Sequence, residues 1–139
     1  MSLFVLDTDT ISILAEGHAS LELQIANQDS RLIATTIISV EEILSGWYRL
    51  LRQTKEDKQL AEIYQELADA VRLVGRWQIL SFTETAMARF AQLKALKLNI
   101  GSMDLRIAAI TLESGGILVT RNLRDFQRVP NLPLVNWVT

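Results

Sequence analysis

The 139 residues hold sixteen aspartates and glutamates, one histidine and no cysteine. Four small groups of these acids stand beside short apolar runs or at the start of amphipathic stretches. They are Asp7 and Asp9, Glu41 and Glu42, Asp104, and Asp125 with its neighbour Asn122. Carboxylates gathered in one place repel, and several stay ionised together only with a cation among them. With no thiol and one lone imidazole, the available donors are oxygens, which select hard ions such as Mg²⁺ or Mn²⁺. Mg²⁺ takes one or two carboxylates and completes its shell with water and substrate phosphates, so such a cluster predicts metal-assisted phosphate chemistry. The same composition excludes multi-histidine metal centres, zinc–cysteine sites, iron–sulfur clusters, disulfide scaffolds and cysteine nucleophiles. The sequence also lacks G-x-S-x-G, a P-loop and G-x-G-x-x-G.

Whether these acids meet depends on the elements that carry them. Leu3-Phe4-Val5-Leu6 is a continuous apolar run and predicts a strand buried on both faces. Residues 8–27 read as helical, with a break at Gly17-His18, and His18 reads as a turn or surface residue. A second strand is predicted at Leu32–Thr36. A helix over 39–52 follows, with Val40, Ile43, Leu44, Trp47, Leu50 and Leu51 at helical spacing. Another helix spans 56–73, with Leu60, Ile63, Leu67 and Val71 on one face. Ile79–Phe82 reads as a strand, and Thr83 or Thr85 as the cap of a helix to Lys97. Ser102 is the expected cap of a helix to Glu113, ended by Gly115-Gly116. Ile117–Thr120 is a fourth strand and Leu134–Trp137 a fifth. Strands alternating with helices predict an α/β fold of one domain over 1–139, a mainly parallel sheet between helical layers. In such sheets ligands bind beyond the carboxyl ends of the strands, the edge where the following helices start. Asp7, Asp9, Glu41 or Glu42, Asp104, and Asn122 or Asp125 then share one rim.

Each acid also has a purely structural use. Ser39-Val40-Glu41-Glu42 matches a capping box, Asp104 suits the first turn of a helix, Thr8 or Asp9 suits a cap, and Asp125 suits a turn. Asp7 is harder to explain that way, because it directly follows the apolar run. Helical spacing does not choose between Glu41 and Glu42, since both point away from the Val40/Ile43/Leu44/Trp47 stripe. Gly46, one turn after Glu42, clears space on that residue's side. Trp47, Trp77 and Trp137 read as core or dimer-interface residues.

Four ordered segments carry a resemblance to a known family. They are Leu6-Asp7-Thr8-Asp9, Ser39-Val40-Glu41-Glu42-Ile43-Leu44-Ser45-Gly46, Asp104-Leu105-Arg106-Ile107-Ala108-Ala109, and Leu118-Val119-Thr120-Arg121-Asn122-Leu123-Arg124-Asp125-Phe126; Val129-Pro130-Asn131-Leu132 also fits. Over nearly its whole length the chain resembles the PIN-domain ribonucleases, and among them the VapC-type toxins of toxin–antitoxin pairs. The resemblance implies a three-layer α/β/α domain and a Mg²⁺- or Mn²⁺-dependent endoribonuclease that leaves a 5′-phosphate and a 3′-hydroxyl. It implies Asp7, Glu42 and Asp104 as the first three acids, with Glu42 chosen because the family's glutamate precedes the helix glycine by four. The fourth position is open between Asn122 and Asp125. Asp9 stands where many relatives have Asn, and it joins Thr8, Ser39 and Thr120 as supporting residues around the ligands. Arg106, Arg121, Arg124 and Arg128 are candidates to hold RNA phosphates. The implied partners are RNA, a cognate antitoxin that inserts an Arg or Lys among the acids, and a second copy of the chain.

The charge distribution leaves room for a polyanion. Residues 1–88 hold seven Lys/Arg and 13 Asp/Glu, net −6, while residues 89–139 hold seven and three, net +4. With no cysteine, a reduced, cytoplasmic setting is expected. The start, Met1-Ser2-Leu3-Phe4, lacks a basic leader, so no signal peptide is expected, and no apolar run approaches the ~18 residues of a membrane span. Two rival readings stay open. Val5-Leu6-Asp7-Thr8-Asp9-Thr10-Ile11 also resembles the opening of haloacid-dehalogenase-type phosphatases, with Asp7 as nucleophile, although Ile11 stands where Thr or Val is expected and no later acid pair follows the fourth strand. Alternatively, the same fold acts without catalysis, as a module that binds an antitoxin or RNA.

Overall fold

Three or four apolar residues make a full strand when both faces are covered, and the first such run does so at the centre of the molecule. In the computed structural model, which describes residues 2–138, Phe4–Leu6 forms β1. It lies between β2 (Ile33–Thr36) and β4 (Ile117–Val119), with β3 (Gln78–Leu80) and β5 (Leu134–Val135) outside them. The order is β3-β2-β1-β4-β5 and every pairing is parallel, with Val5 opposite both Ala34 and Leu118. Met1, on which part of the leader expectation rests, and Thr139, the last residue of the expected domain, lie outside the described residues.

Alternation along β1 sends neighbours into different cores. Val5 packs with Leu118, Ile107 and Ala108 on one face, under α5 (Glu84–Ala95) and α6 (Ser102–Ser114). Leu6 packs with Ile33, Val119 and Trp137 on the other. That second face is covered from α1 (Thr8–Glu16), α2 (Ala19–Ala26), α3 (Ile37–Gln53) and α4 (Asp57–Val74) by Ile11, Leu21, Val40, Ile43 and Val74. The result is the expected α/β/α sandwich. Gly116 lets β4 run close to β1: a Cβ there would meet Val5 Cγ2 at 3.0 Å and the Leu3 carbonyl at 3.1 Å. No helix among the described residues is long and apolar enough to cross a membrane.

Several local expectations are corrected. Asp7, not Thr8 or Asp9, caps α1, its side chain accepting from the Thr10 amide. Thr36, not Ser39, caps α3, which therefore starts two residues early and leaves Ser39 buried in its first turn. The proposed Ser39–Glu42 capping box does not form. Gly101 holds the N-cap position of α6 without a side-chain bond, so Ser102 is already helical. His18 does more than turn the chain, because its Nδ1 accepts from the Leu21 amide and caps α2. The segment after Thr120 contains a single helical turn, α7 (Leu123–Phe126). The third and fifth strands are shorter than predicted and displaced or cut to 78–80 and 134–135. Leu32 ends a 3₁₀ turn rather than opening β2. Trp137 is buried against Phe4, with ring centroids 4.8 Å apart, while Trp47 and Trp77 are half-buried.

Candidate active site

Parallel strands deliver their carboxyl ends to one edge, and three helix starts meet them there. Asp7 follows β1 and is 5% exposed. Thr120 follows β4 and is buried, Glu42 is on α3, and Asp104 is in the first turn of α6. Together with Thr8, Asp9, Ser12, Arg121, Asn122 and Phe126, Asp7, Glu42 and Asp104 line an open pocket of about 620 Å³.

The two glutamates separate cleanly. Glu41 is exposed, whereas Glu42 is half-buried and its Oε1 accepts from the Thr8 hydroxyl at 2.6 Å. Thr8 Oγ1 is also 3.0 Å from the Ser39 hydroxyl, so Thr8 and Ser39 stand directly behind the glutamate. A Cβ at Gly46 would meet nothing within 4 Å, so packing within this chain does not itself require glycine there.

Asp7 and Asp104 sit in opposite electrostatic settings. Burial pushes the Asp7 carboxyl above its ordinary value, and hydrogen bonds with Thr120 and Thr10 pull it back. Asp104 has no such support. Burial, then the charges of Glu42, Asp7 and Asp125, push it up to about 6. A half-buried acid raised by three other acids marks a site short of positive charge.

The fourth position divides its work between two residues. Asn122 lines the pocket, and Asp125 stands behind it. Asn122 Nδ2 donates to Asp125 Oδ2 at 3.1 Å, which leaves the Asn122 carbonyl oxygen as the atom available to a ligand. Asp125 is also paired with Arg128 at 3.3 Å. Its charge is felt at Asp104 without its side chain entering the pocket lining.

The donor set suits a hard divalent cation: carboxylates, one amide carbonyl, no nitrogen or sulfur ligand. Among the described residues no three acidic side chains close a ready-made cage. The loose ring matches an ion that keeps most of its water and takes few protein ligands.

Of the four arginines expected to face RNA, only Arg121 reaches the pocket. Arg106 packs over Phe90 and Phe82, 5.3 and 5.8 Å from their ring centroids, with a buried Nε lacking a partner. Arg128 donates to the Asn99 carbonyl, and Arg124 is exposed on α7, outside the lining. Ser12 and Phe126 line the pocket without having been singled out by sequence. Ser12 lies four residues after Thr8, one helical turn along the same face, and its hydroxyl donates to the Thr8 carbonyl at 3.1 Å. A second, larger cavity of about 750 Å³ opens between α1, α3 and α4 and reaches Glu22 of α2; its lining mixes apolar side chains such as Ile11, Ile43, Trp47 and Leu73 with charged ones, Glu16, Glu66, Asp69, Arg72 and Arg76. It shares Ser12 with the acidic pocket.

Comparison with known proteins agrees with this architecture. A family model described as "PIN domain" matches residues 4–132. Ribonuclease VapC2 of Haemophilus influenzae is 30% identical over 97% of this chain and 98% of its own length. The tRNA(fMet)-specific endonuclease VapC of Salmonella typhimurium is 24% identical over 96% of this chain and 97% of its own. Among solved structures, a chain of the DNA-bound VapBC complex from Salmonella typhimurium superposes with a TM-score of 0.82, covering 99% of both chains. At 23% identity that superposition speaks to the fold.

Proposed function

Since the chain belongs to the PIN domain family, we propose that it is a Mg²⁺- or Mn²⁺-dependent endoribonuclease acting as the toxin of a toxin–antitoxin pair. The observation that carries this reading is the convergence of Asp7, Glu42 and Asp104 from three separate elements on one open pocket, with Asp104 raised by burial and then by its acidic neighbours. The relatives named as ribonucleases supply the substrate class.

Asp7 and Asp104 would hold the cation, with the Asn122 carbonyl beside them. When bound, the ion supplies Lewis-acid polarisation of the phosphodiester and a water of lowered pKa. Thr10 and Thr120 keep the Asp7 carboxylate oriented through their hydrogen bonds. Thr8 orients Glu42 through its hydrogen bond, and Glu42 would take a proton from the attacking water. Asp125 acts through Asn122, holding its amide and adding negative charge at a distance.

The antitoxin is proposed to lie along the larger cavity between α1, α3 and α4, whose lining mixes apolar with charged side chains, and to reach over Ser12 into the acidic pocket, where its Arg or Lys replaces the cation's charge. Ser12, which lines both cavities, supports such a path, and several structural neighbours are toxin–antitoxin complexes. A homodimer and a cytoplasmic setting complete the reading, the first checked by light scattering. The phosphatase alternative needs a lysine beside Asp7, and none is among the residues that line the pocket.

The deciding experiment incubates purified protein with RNA. Here tRNA(fMet), the RNA in the Salmonella relative's name, is tried first. Cleavage with Mg²⁺ or Mn²⁺ that stops with a chelator, leaving a 5′-phosphate, is expected. Full activity in chelator would sink the reading, and a trapped aspartyl-phosphate on Asp7 would favour the phosphatase. Intact RNA in every metal, with firm antitoxin binding, would favour the non-catalytic module.

A further inference from the structure

A phosphate diester that enters a ring of acids meets repulsion unless a positive group stands at the entrance. Among the described residues, Arg121 is the one cationic side chain lining this pocket. Its guanidinium forms a two-point fork with Asp9, Nε to Oδ2 at 2.9 Å and Nη2 to Oδ1 at 3.2 Å. The fork spans 112 residues of sequence and ties the loop after β4 to the first turn of α1. The backbone that carries Arg121 is held in turn, because the Asn122 amide donates to Thr120 Oγ1 at 3.0 Å and Thr120 bonds to Asp7.

Both side chains of the fork are about half exposed, 56% for Arg121 and 46% for Asp9. An ion pair so exposed contributes little to folding, so its position at the mouth is better explained by what it presents. A guanidinium has five N–H donors in a fixed plane. The fork uses two of them and leaves three for another acceptor, in the bidentate geometry that suits a phosphate.

We infer that Arg121 is the residue that binds the RNA phosphate at the entrance of the acidic pocket, and that Asp9 is not a fourth metal ligand but the residue that positions Arg121. This deepens the ribonuclease reading and rests on it. Asp9 is paired with Arg121, while among the described residues Asp7, Glu42 and Asp104 are the pocket's acids without a paired cation.

The test uses a fluorescently labelled single-stranded RNA decamer, bound in Ca²⁺ by full-length protein, and steady-state cleavage in Mg²⁺. Mn²⁺ affinity, by calorimetry without RNA, and thermal midpoints accompany both. Arg121→Ala should raise KM and the RNA Kd roughly tenfold and reduce the salt slope by about 0.7, with kcat, Mn²⁺ affinity and thermal midpoint nearly unchanged. Arg121→Lys should restore part of the loss. Asp9→Asn should raise KM about threefold, and Asp9→Asn with Arg121→Ala should be no worse than Arg121→Ala alone, because the pair acts as a unit. Unchanged KM and salt slope in Arg121→Ala would overturn the proposal, as would a tenfold loss of Mn²⁺ affinity in Asp9→Asn. If wild type binds the decamer and never cleaves RNA, the ribonuclease reading fails while the binding slopes still judge Arg121. If wild type does not bind RNA, both fail.

Discussion

The two sides of the acidic pocket are built on opposite principles. On the β1–β4 side, Asp7 is almost fully buried, caps α1, and is met by hydrogen bonds from Thr10 and Thr120. On the α3–α6 side, Asp104 is half-buried, faces Glu42, Asp7 and Asp125, and rises to about 6. The first side is preorganised: its charge is already stabilised by fixed donors, at little further reorganisation. The second leaves a carboxylate that burial and neighbouring charge disfavour, a penalty that a proton or an incoming cation would relieve. In the proposed metal-dependent reading, such a site would hold one ligand firmly in place and keep affinity for the cation in reserve.

The strongest way to break this comparison is to remove each charge separately. Asp7→Asn and Asp104→Asn should each lower cleavage roughly 10³-fold, since a lost metal ligand costs several kcal/mol of transition-state stabilisation. Both should fold, since asparagine at position 7 also caps a helix and at position 104 it removes a charge that burial disfavours. Near-normal turnover by either, measured in saturating Mg²⁺, would take that residue out of the site. Next in size are the neighbouring glutamates. Glu42→Gln should lose roughly 10²-fold, the scale of one acid–base group. The exposed Glu41→Gln should stay within twofold of wild type. The opposite pattern would shift the α3 register by one residue.

A smaller effect separates Asn122 from Asp125. Asp125→Asn keeps the amide partner of Asn122 and removes one negative charge, so the Mg²⁺ needed for half-maximal cleavage should rise a few-fold, roughly 3–10 times. Asn122→Asp should lower it by a similar factor. An unmoved Mg²⁺ curve for Asp125→Asn would reduce Asp125 to a turn residue.

The smallest expected effect is on stability, and its sign follows from the direction of the shift. Asp104 is raised from 3.8 to about 6 in the folded state. The folded protein therefore binds a proton more readily than the unfolded chain across that window, and stability falls as pH rises through it. Solvent screening of this half-exposed group reduces the penalty at pH 7 to about 1 kcal/mol. Asp104→Asn should recover that amount in urea titrations of metal-free protein at pH 7 and almost none at pH 4. Added Mg²⁺ should stabilise wild type at pH 7 more than Asp104→Asn. A mutant less stable than wild type at pH 7 would show that Asp104 is structurally supported rather than strained.

Much of this was legible before any coordinates. Short apolar runs alternating with amphipathic stretches set an α/β class, because only strands covered on both faces dispense with polar alternation. The parallel-sheet rule then sent Asp7, Glu41 or Glu42, and Asp104 to one rim, and the family resemblance chose Glu42. The helix starts were read less well. Thr36, Gly101 and Asp7 cap where Ser39, Ser102 and Thr8 or Asp9 were expected, since several adjacent residues can each cap and only backbone dihedrals choose among them.

By itself the sequence determined which residue types were present and on which edge they would arrive. It offered oxygen donors without sulfur or paired imidazoles, and acids placed immediately after buried strands or at helix starts. Those facts follow from composition and from periodicities that belong to single elements. Tertiary structure alone decided the pairings. Thr8 turns to Glu42 rather than capping, Asp9 is paired with Arg121 from 112 residues away, and Arg106 leaves the expected RNA face for two phenylalanine rings. Each of those outcomes depends on distances between side chains of different elements. A one-dimensional pattern carries the direction a residue faces along its own strand or helix, and it carries nothing about which partner stands opposite.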